Sequence, residues 1–119
     1  MPFAAADGMV WGGDELEIWG ISTETNARSV GFGVPQGVQE IVAMAAGGGE
    51  LWVAVVRQTT DGGLVATGGA VLRFDIGGQT LVETIQVGAT PRSIVLAEGS
   101  LWVTDTEDGV LLRIPVDGG

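Results

Sequence analysis

Four residue types that carry much of protein chemistry are missing from this chain of 119 residues: cysteine, histidine, lysine and tyrosine. Without cysteine, neither disulfides nor thiolate metal sites can form. A serine nucleophile would have no imidazole or lysine amine beside it for activation, and general acid–base catalysis would fall to carboxylates alone. We therefore predict no serine-based catalysis, no cofactor and no metal site.

Positive charge is also scarce, because five arginines stand against fifteen acids and the net charge is −10. Nucleic acids and anionic membranes both require a cationic surface, so neither is expected as a partner. The longest apolar runs fall far short of the roughly eighteen residues of a membrane span. The first residues, MPFAAADG, lack the cationic start and apolar run of a signal peptide, so we predict a soluble chain whose location stays open.

A short apolar phrase recurs along the chain. Leu51-Trp52-Val53 reappears as Leu101-Trp102-Val103, and MVWGGD places Trp11 in the same column. The three tryptophans are separated by 41 and 50 residues. A loop over residues 57–69, found only in the middle copy, explains the longer spacing. Repeats of this length predict a repeat architecture before any local structure is assigned.

Each copy consists of short apolar runs separated by clusters of Gly, Asp and Thr, and no stretch has a sustained helical period. In the middle copy we predict strands over 39–45, 50–56, 70–76 and 81–87. Four antiparallel strands recurring at this spacing are typical of β-propeller blades. We predict an all-β fold of four-stranded antiparallel meanders, with blades at about 1–33 and 34–88 and a partial blade at 89–119.

The stretch TIQVGATPRSIVLAEGSLWVTDTEDGVLLRI resembles the repeat of bacterial YVTN-type propellers, and it is also similar to virginiamycin B lyase-like and NHL-like propellers. The resemblance covers nearly the whole chain and implies a propeller fold. Proteins with this fold serve as enzymes, sensors and binding platforms, so it implies no single function. The lyases work with histidines and a metal, and this chain has no histidine to which that role could be transferred.

The number of predicted strands bears on assembly. The chain contains two whole blades and three strands of a third, whereas propellers usually have about four to eight blades. Uncovered end blades would expose apolar faces. We expect a closed homo-oligomer, in which a dimer supplies about six blades and a trimer about eight. The alternative is that the chain is part of a longer propeller.

Loops on one face of such a ring often carry function, and they define a candidate ligand site at the ring mouth. Its members are Asp14, Asp61, Arg92, Asp105 and Asp108. The alternative interpretation is that aspartates in glycine-rich turns cap backbone amides. The loop over 57–69 is by default a tolerated surface excursion, and as an insertion it is the place where we would look for contact with a partner. Trp11, Trp52 and Trp102 are expected in the core between blades, as is Trp19, which aligns with Phe74 and Ile114.

Two classes of function follow from these features. The first is a non-enzymatic propeller module that associates with copies of itself and serves as a structural or binding scaffold. Its further partner would be an unknown small ligand or protein. The second is a carboxylate-dependent hydrolase or lyase, in which Asp14 and Asp105 would converge within several ångströms across an assembled interface.

Overall fold

A computed structural model describes residues 3–6, 8–14, 17–26, 28–33, 38–61, 64–76, 80–87, 91–105 and 110–115. The predicted all-β class is confirmed, since these residues form strands and turns without any helix. Over the same ranges there is accordingly no helix with the length and apolar character needed to cross a membrane. The strands are β1 (Phe3–Ala6), β2 (Met9–Asp14), β3 (Glu17–Ser22), β4 (Arg28–Gly33), β5 (Val38–Gly47), β6 (Glu50–Asp61), β7 (Leu64–Asp75), β8 (Thr80–Val87), β9 (Pro91–Ala97), β10 (Ser100–Asp105) and β11 (Val110–Pro115).

The strands form three antiparallel sheets in which every strand pairs with its neighbour in sequence. We call them the first sheet (β1–β4), the middle sheet (β5–β8) and the third sheet (β9–β11). All four strands predicted for the middle copy are present as β5, β6, β7 and β8. Such local meanders form because short turns between sequence neighbours close hairpins at a low entropic cost.

A two-residue turn joins the first two strands of the middle sheet and of the third sheet. In the middle sheet Gly48 and Gly49 have φ angles of 61° and 80°, and in the third sheet Glu98 and Gly99 have φ angles of 52° and 73°. Positive φ at both positions is the geometry of the type I′ hairpin, whose twist matches that of the strands. The recurring tryptophan is the third residue of β2, β6 and β10 alike. In the middle and third sheets, the turn before that strand fixes which residue of the preceding strand lies opposite the tryptophan.

The loop predicted over residues 57–69 is wrong, because this segment is largely strand. β6 and β7 pair without interruption from Glu50 opposite Asp75 to Asp61 opposite Leu64. The segment therefore extends the middle hairpin as a two-stranded arm. The signal was present in the sequence TTDGGLVAT, where two glycines stand between residues with high β propensity.

The middle sheet is covered on both sides. Side chains alternate along β6, so Leu51, Val53 and Val55 pack in one apolar cluster with Trp11 and Ile18 of the first sheet. The intervening Trp52 and Ala54 pack in a second cluster against the third sheet. That second cluster includes the third-sheet residues Ile94, Leu101 and Val103. Both faces of β6 are therefore removed from water over residues 51–55, which explains its continuous apolar sequence there.

The three sheets approach one another mainly through their first strands. β5 lies against β1 on one side and against β9 on the other, with smaller contributions from β2 and β6. β8, the outermost strand of the middle sheet, is mostly exposed to solvent. The sheets are thus packed most closely along the line of β1, β5 and β9.

Candidate functional site

The recurring tryptophans occupy the same position in their sheets and point in the same sense along the stack. Trp11 is buried between the first and middle sheets, and Trp52 is buried between the middle and third sheets. Leu101 and Val103 face the middle sheet, so Trp102 between them lies on the opposite face of the third sheet. There Trp102 is only partly buried.

Each tryptophan has a cross-strand neighbour that determines its surroundings. Trp11 pairs with Gly20, and a Cβ atom at Gly20 would lie 2.7 Å from the Trp11 ring. Trp52 pairs with Arg73 and Trp102 pairs with Arg113. The indole therefore lies flat against the strand in the first sheet, and it lies beneath a guanidinium group in the other two.

In the middle sheet this guanidinium is neutralised. Cζ of Arg73 lies 5.2 Å from the centre of the Trp52 ring. Nε of Arg73 donates a hydrogen bond to Oε2 of Glu50, and Nη1 donates to Oε1 of Glu83 at 3.4 Å. The hydrogen bond to Glu50 is the main reason that the pKa of Arg73 is raised. Arg73 is thus held over the indole by one acid from each neighbouring strand.

In the third sheet the corresponding guanidinium has different partners. Cζ of Arg113 lies 5.7 Å from the centre of the Trp102 ring. Nε donates a hydrogen bond of 2.9 Å to Oγ of Ser100, which occupies the position of Glu50. Within the described ranges no carboxylate is seen paired with Arg113. A neutral hydroxyl therefore stands where the middle sheet has a carboxylate, and among the described residues no acid balances the charge of Arg113.

The face that carries Trp102 has exposed apolar side chains, and no described strand lies against it. Val95 lies opposite Trp102 and is 56% exposed, and Leu111 on β11 is 60% exposed. Ser93 and Thr104 share a side-chain hydrogen bond of 2.9 Å at one end of this surface. We call this surface, formed by Ser93, Val95, Trp102, Thr104, Leu111 and Arg113, the open face. Sequence reasoning missed Val95, which lies opposite Trp102, and Leu111, which lies opposite Thr104 on the same face.

The far side of the first sheet is the second incompletely covered surface. Val10, Trp19 and Ile21 are partly buried there, on the side away from the middle sheet. The predicted alignment of Trp19 with Phe74 and Ile114 is wrong by two residues. Pairing through β2 places Trp19 opposite Gly12, which makes Trp19 equivalent to Leu72 and Leu112, and Ile21 equivalent to Phe74 and Ile114.

Two of the predicted ring-mouth aspartates occupy equivalent positions in different sheets. Asp14 ends β2 and Asp105 ends β10, three residues after the tryptophan in each case, and Val55 has this place in the middle sheet. The side chains of both aspartates, and the whole of Asp108, lie outside the described residues. Stacked sheets are separated by about 10 Å, and the whole middle sheet stands between these two strands. One copy of the chain therefore does not bring the two strand ends together.

The remaining members of the predicted site are further apart. Asp61 lies at the tip of the β6–β7 arm, six residues beyond Val55 and so about 20 Å further along the strand. Arg92 is exposed on β9. In the described part of the chain, no three acidic side chains are grouped as metal ligands would be. The residues that the structure does bring together are those of the open face, which includes the Arg113–Trp102 pair.

No family model matches this chain, and no curated protein matches it.

Proposed function

We propose that the chain is a non-enzymatic β-propeller module that associates head to tail with further copies of itself and serves as a structural or binding scaffold. The observation that carries this proposal is the open face. It repeats, position by position, the Trp52 and Arg73 surface that the third sheet covers inside the chain. The surface that is buried in the middle sheet thus has an exposed counterpart in the third sheet.

The chain itself indicates what covers such a surface. Trp52 is covered by an aliphatic sheet face whose members include Leu101, Leu112 and Ile114. The equivalent positions of the first sheet hold Val10, Trp19 and Ile21, which lie on its far side. The open face and the far side of the first sheet therefore carry the same kinds of side chains as the two faces that meet between the middle and third sheets. A contact between unlike surfaces is heterologous and forms a ring when its rotation closes.

The number of sheets favours two copies over three. The eight blades expected of a trimer counted the third blade as partial; counted as sheets, three per chain, a closed dimer has about six and a trimer about nine, whereas propellers usually have about four to eight. The close approach of β1, β5 and β9 agrees with sheets arranged around a common axis with their first strands inside. We therefore favour the homodimer.

The native mass in solution tests this proposal, with Val95→Glu as the disrupting variant and Val82→Glu as its matched control. Val82 is 54% exposed on β8 of the middle sheet, away from both end surfaces. A charge buried at an interface without a partner costs several kcal/mol, so Val95→Glu should shift the mass towards one copy. The mass of Val82→Glu should remain that of the unaltered chain.

Sedimentation equilibrium over a range of concentrations gives the readout. A dimer that dissociates only in Val95→Glu supports the proposal. A folded monomer of the unaltered chain at every concentration, or equal dissociation of both variants, would overturn it.

A further inference from the structure

The outer edge of the third sheet differs from that of the other two. β3 pairs on its outer side with β4, and β7 pairs with β8. Within the residues that the structure describes, β11 pairs only with β10, and no strand lies on its other side. The edge of β11 consequently presents backbone donors and acceptors of the kind that pair with an added strand.

The side chains along β11 match those of β7, which has such a strand. Arg113 corresponds to Arg73, whose second acid, Glu83, comes from β8 directly opposite. Leu111 corresponds to Val71, which is fully buried and has Ile85 of β8 opposite it. In the third sheet Leu111 is 60% exposed. Two positions that have partners on β8 in the middle sheet therefore have no neighbouring strand at β11 among the described residues.

We propose that the edge of β11 binds an extended segment of a partner protein that carries a carboxylate opposite Arg113 and an aliphatic side chain opposite Leu111. The segment adds to the sheet as an antiparallel strand next to β11. Its main-chain hydrogen bonds provide affinity, and the two side-chain positions provide specificity and register. The required spacing is that of Glu83 and Ile85, two residues apart on one face of a strand.

Charge makes this recognition selective. The chain has a net charge of −10, so acidic segments are repelled at long range. A carboxylate is accepted only where it meets Arg113, whose Nε is already held by Ser100 and whose guanidinium lies over Trp102. The two fixed contacts orient the remaining donors of the guanidinium towards an incoming strand.

The test uses the full chain and a labelled synthetic peptide with the sequence of β8, TLVETIQV, measured by fluorescence anisotropy. We expect saturable binding, and we expect the peptide with Glu83→Gln to bind about threefold to fivefold more weakly, as the loss of one exposed ion pair implies. A scrambled peptide of the same composition is the control for nonspecific adhesion. Circular dichroism of each protein variant confirms that it is folded.

Charge reversal provides the sharper arm of the experiment. Arg113→Glu should weaken binding of the native peptide about tenfold, and a peptide with Glu83→Arg should bind that variant to within about twofold of the original pair. Arg92→Glu, at an exposed position of β9, is the matched control and should change little. Equal binding of native and scrambled peptides, no binding at all, or the absence of charge-reversal rescue would overturn the proposal.

This inference shares Leu111 and Arg113 with the open face, but its main-chain pairing uses the edge of β11, so the peptide experiment and the native mass have separate readouts. Failure of Val95→Glu to change the native mass leaves the peptide result unaffected. Conversely, a dimer that binds no peptide would support the proposed assembly and contradict the proposal that the edge of β11 binds a strand.

Discussion

The middle and third sheets share a sequence phrase but differ in what surrounds it. In the middle sheet, Trp52 is buried and Arg73 is neutralised by two acids. In the third sheet, Trp102 is partly exposed and Arg113 meets a serine hydroxyl. The comparison teaches that one strand pattern serves as core or as surface according to whether another sheet lies against it.

The difference has an energetic basis. A buried indole removes roughly 150–250 Å² from water, and apolar burial stabilises by about 25 cal/mol per Å². The contact between the middle and third sheets gains this contribution at Trp52. At Trp102 part of the side chain stays exposed, and the corresponding part of this contribution is obtained only when a further sheet covers the open face.

The largest expected effect separates the two tryptophans. Trp52→Ala should lower the free energy of unfolding by about 4 kcal/mol, because it leaves a cavity in the buried cluster. Trp102→Ala should cost about 2 kcal/mol in dilute solution, because part of its side chain is exposed and less apolar area is lost from burial. Urea denaturation measures both. Equal losses at low protein concentration would contradict the difference in burial, and a Trp102→Ala cost that grows with concentration would link that face to association.

The second expected effect concerns the two arginines. Arg73→Gln should lower the free energy of unfolding by about 1.5 kcal/mol, because it leaves Glu50 and Glu83 without their cation, whereas Arg113→Gln should cost about 0.5 kcal/mol. Thermal unfolding at low and high salt is the measurement. Added salt should reduce the penalty of Arg73→Gln and leave that of Arg113→Gln nearly unchanged.

The direction of the Arg73 pKa also fixes how this penalty depends on pH. A folded-state pKa raised above the unfolded value contributes stability that is fully present at lower pH and is lost only as pH rises through the folded pKa. For a guanidinium this loss begins only in strongly alkaline solution. Deprotonation of Arg73 should therefore add no pH dependence near neutrality. A penalty that disappears on mild alkalinisation would exclude this ion pair as its source.

The smallest expected effect concerns the two hairpin turns. The middle sheet has Gly48-Gly49, whereas the third sheet places Glu98 at a φ of 52°, where a side chain is strained. Glu98→Asn should raise the free energy of unfolding by about 0.5 kcal/mol, because asparagine tolerates this conformation better. Glu98→Gln is the matched control, and a similar gain from it would assign the effect to the removed charge.

Much of the fold was predictable from local pattern. The Trp52 and Trp102 phrases, the glycine turns and the period-two alternation predicted the strands of the middle copy. The β6–β7 arm was missed because its glycine pair was interpreted as a loop between shorter strands. The two-residue error at Trp19 arose because the first sheet has Gly20 where the other sheets have Arg73 and Arg113. Without that arginine, Trp19 was aligned by its apolar character and not by strand register.

The candidate site was less predictable. The aspartates of the predicted ring mouth were selected by turn chemistry, and the structure places Asp61 at the end of an arm and Asp14 and Asp105 on separate sheets. The aligned Arg73 and Arg113 were visible in sequence, but their unequal partners were not. Glu50 and Glu83 reach Arg73 from different strands, and only the strand register brings them together.

By itself the sequence determined the all-β class, the repeated strand pattern and the exclusion of thiol and imidazole chemistry, because these depend on residue identity and on the two-residue period of a strand. Tertiary structure decided which copy of the pattern is covered and which arginine is neutralised. Both depend on the element that lies against a residue, and residues with identical local sequence do not share the same neighbours.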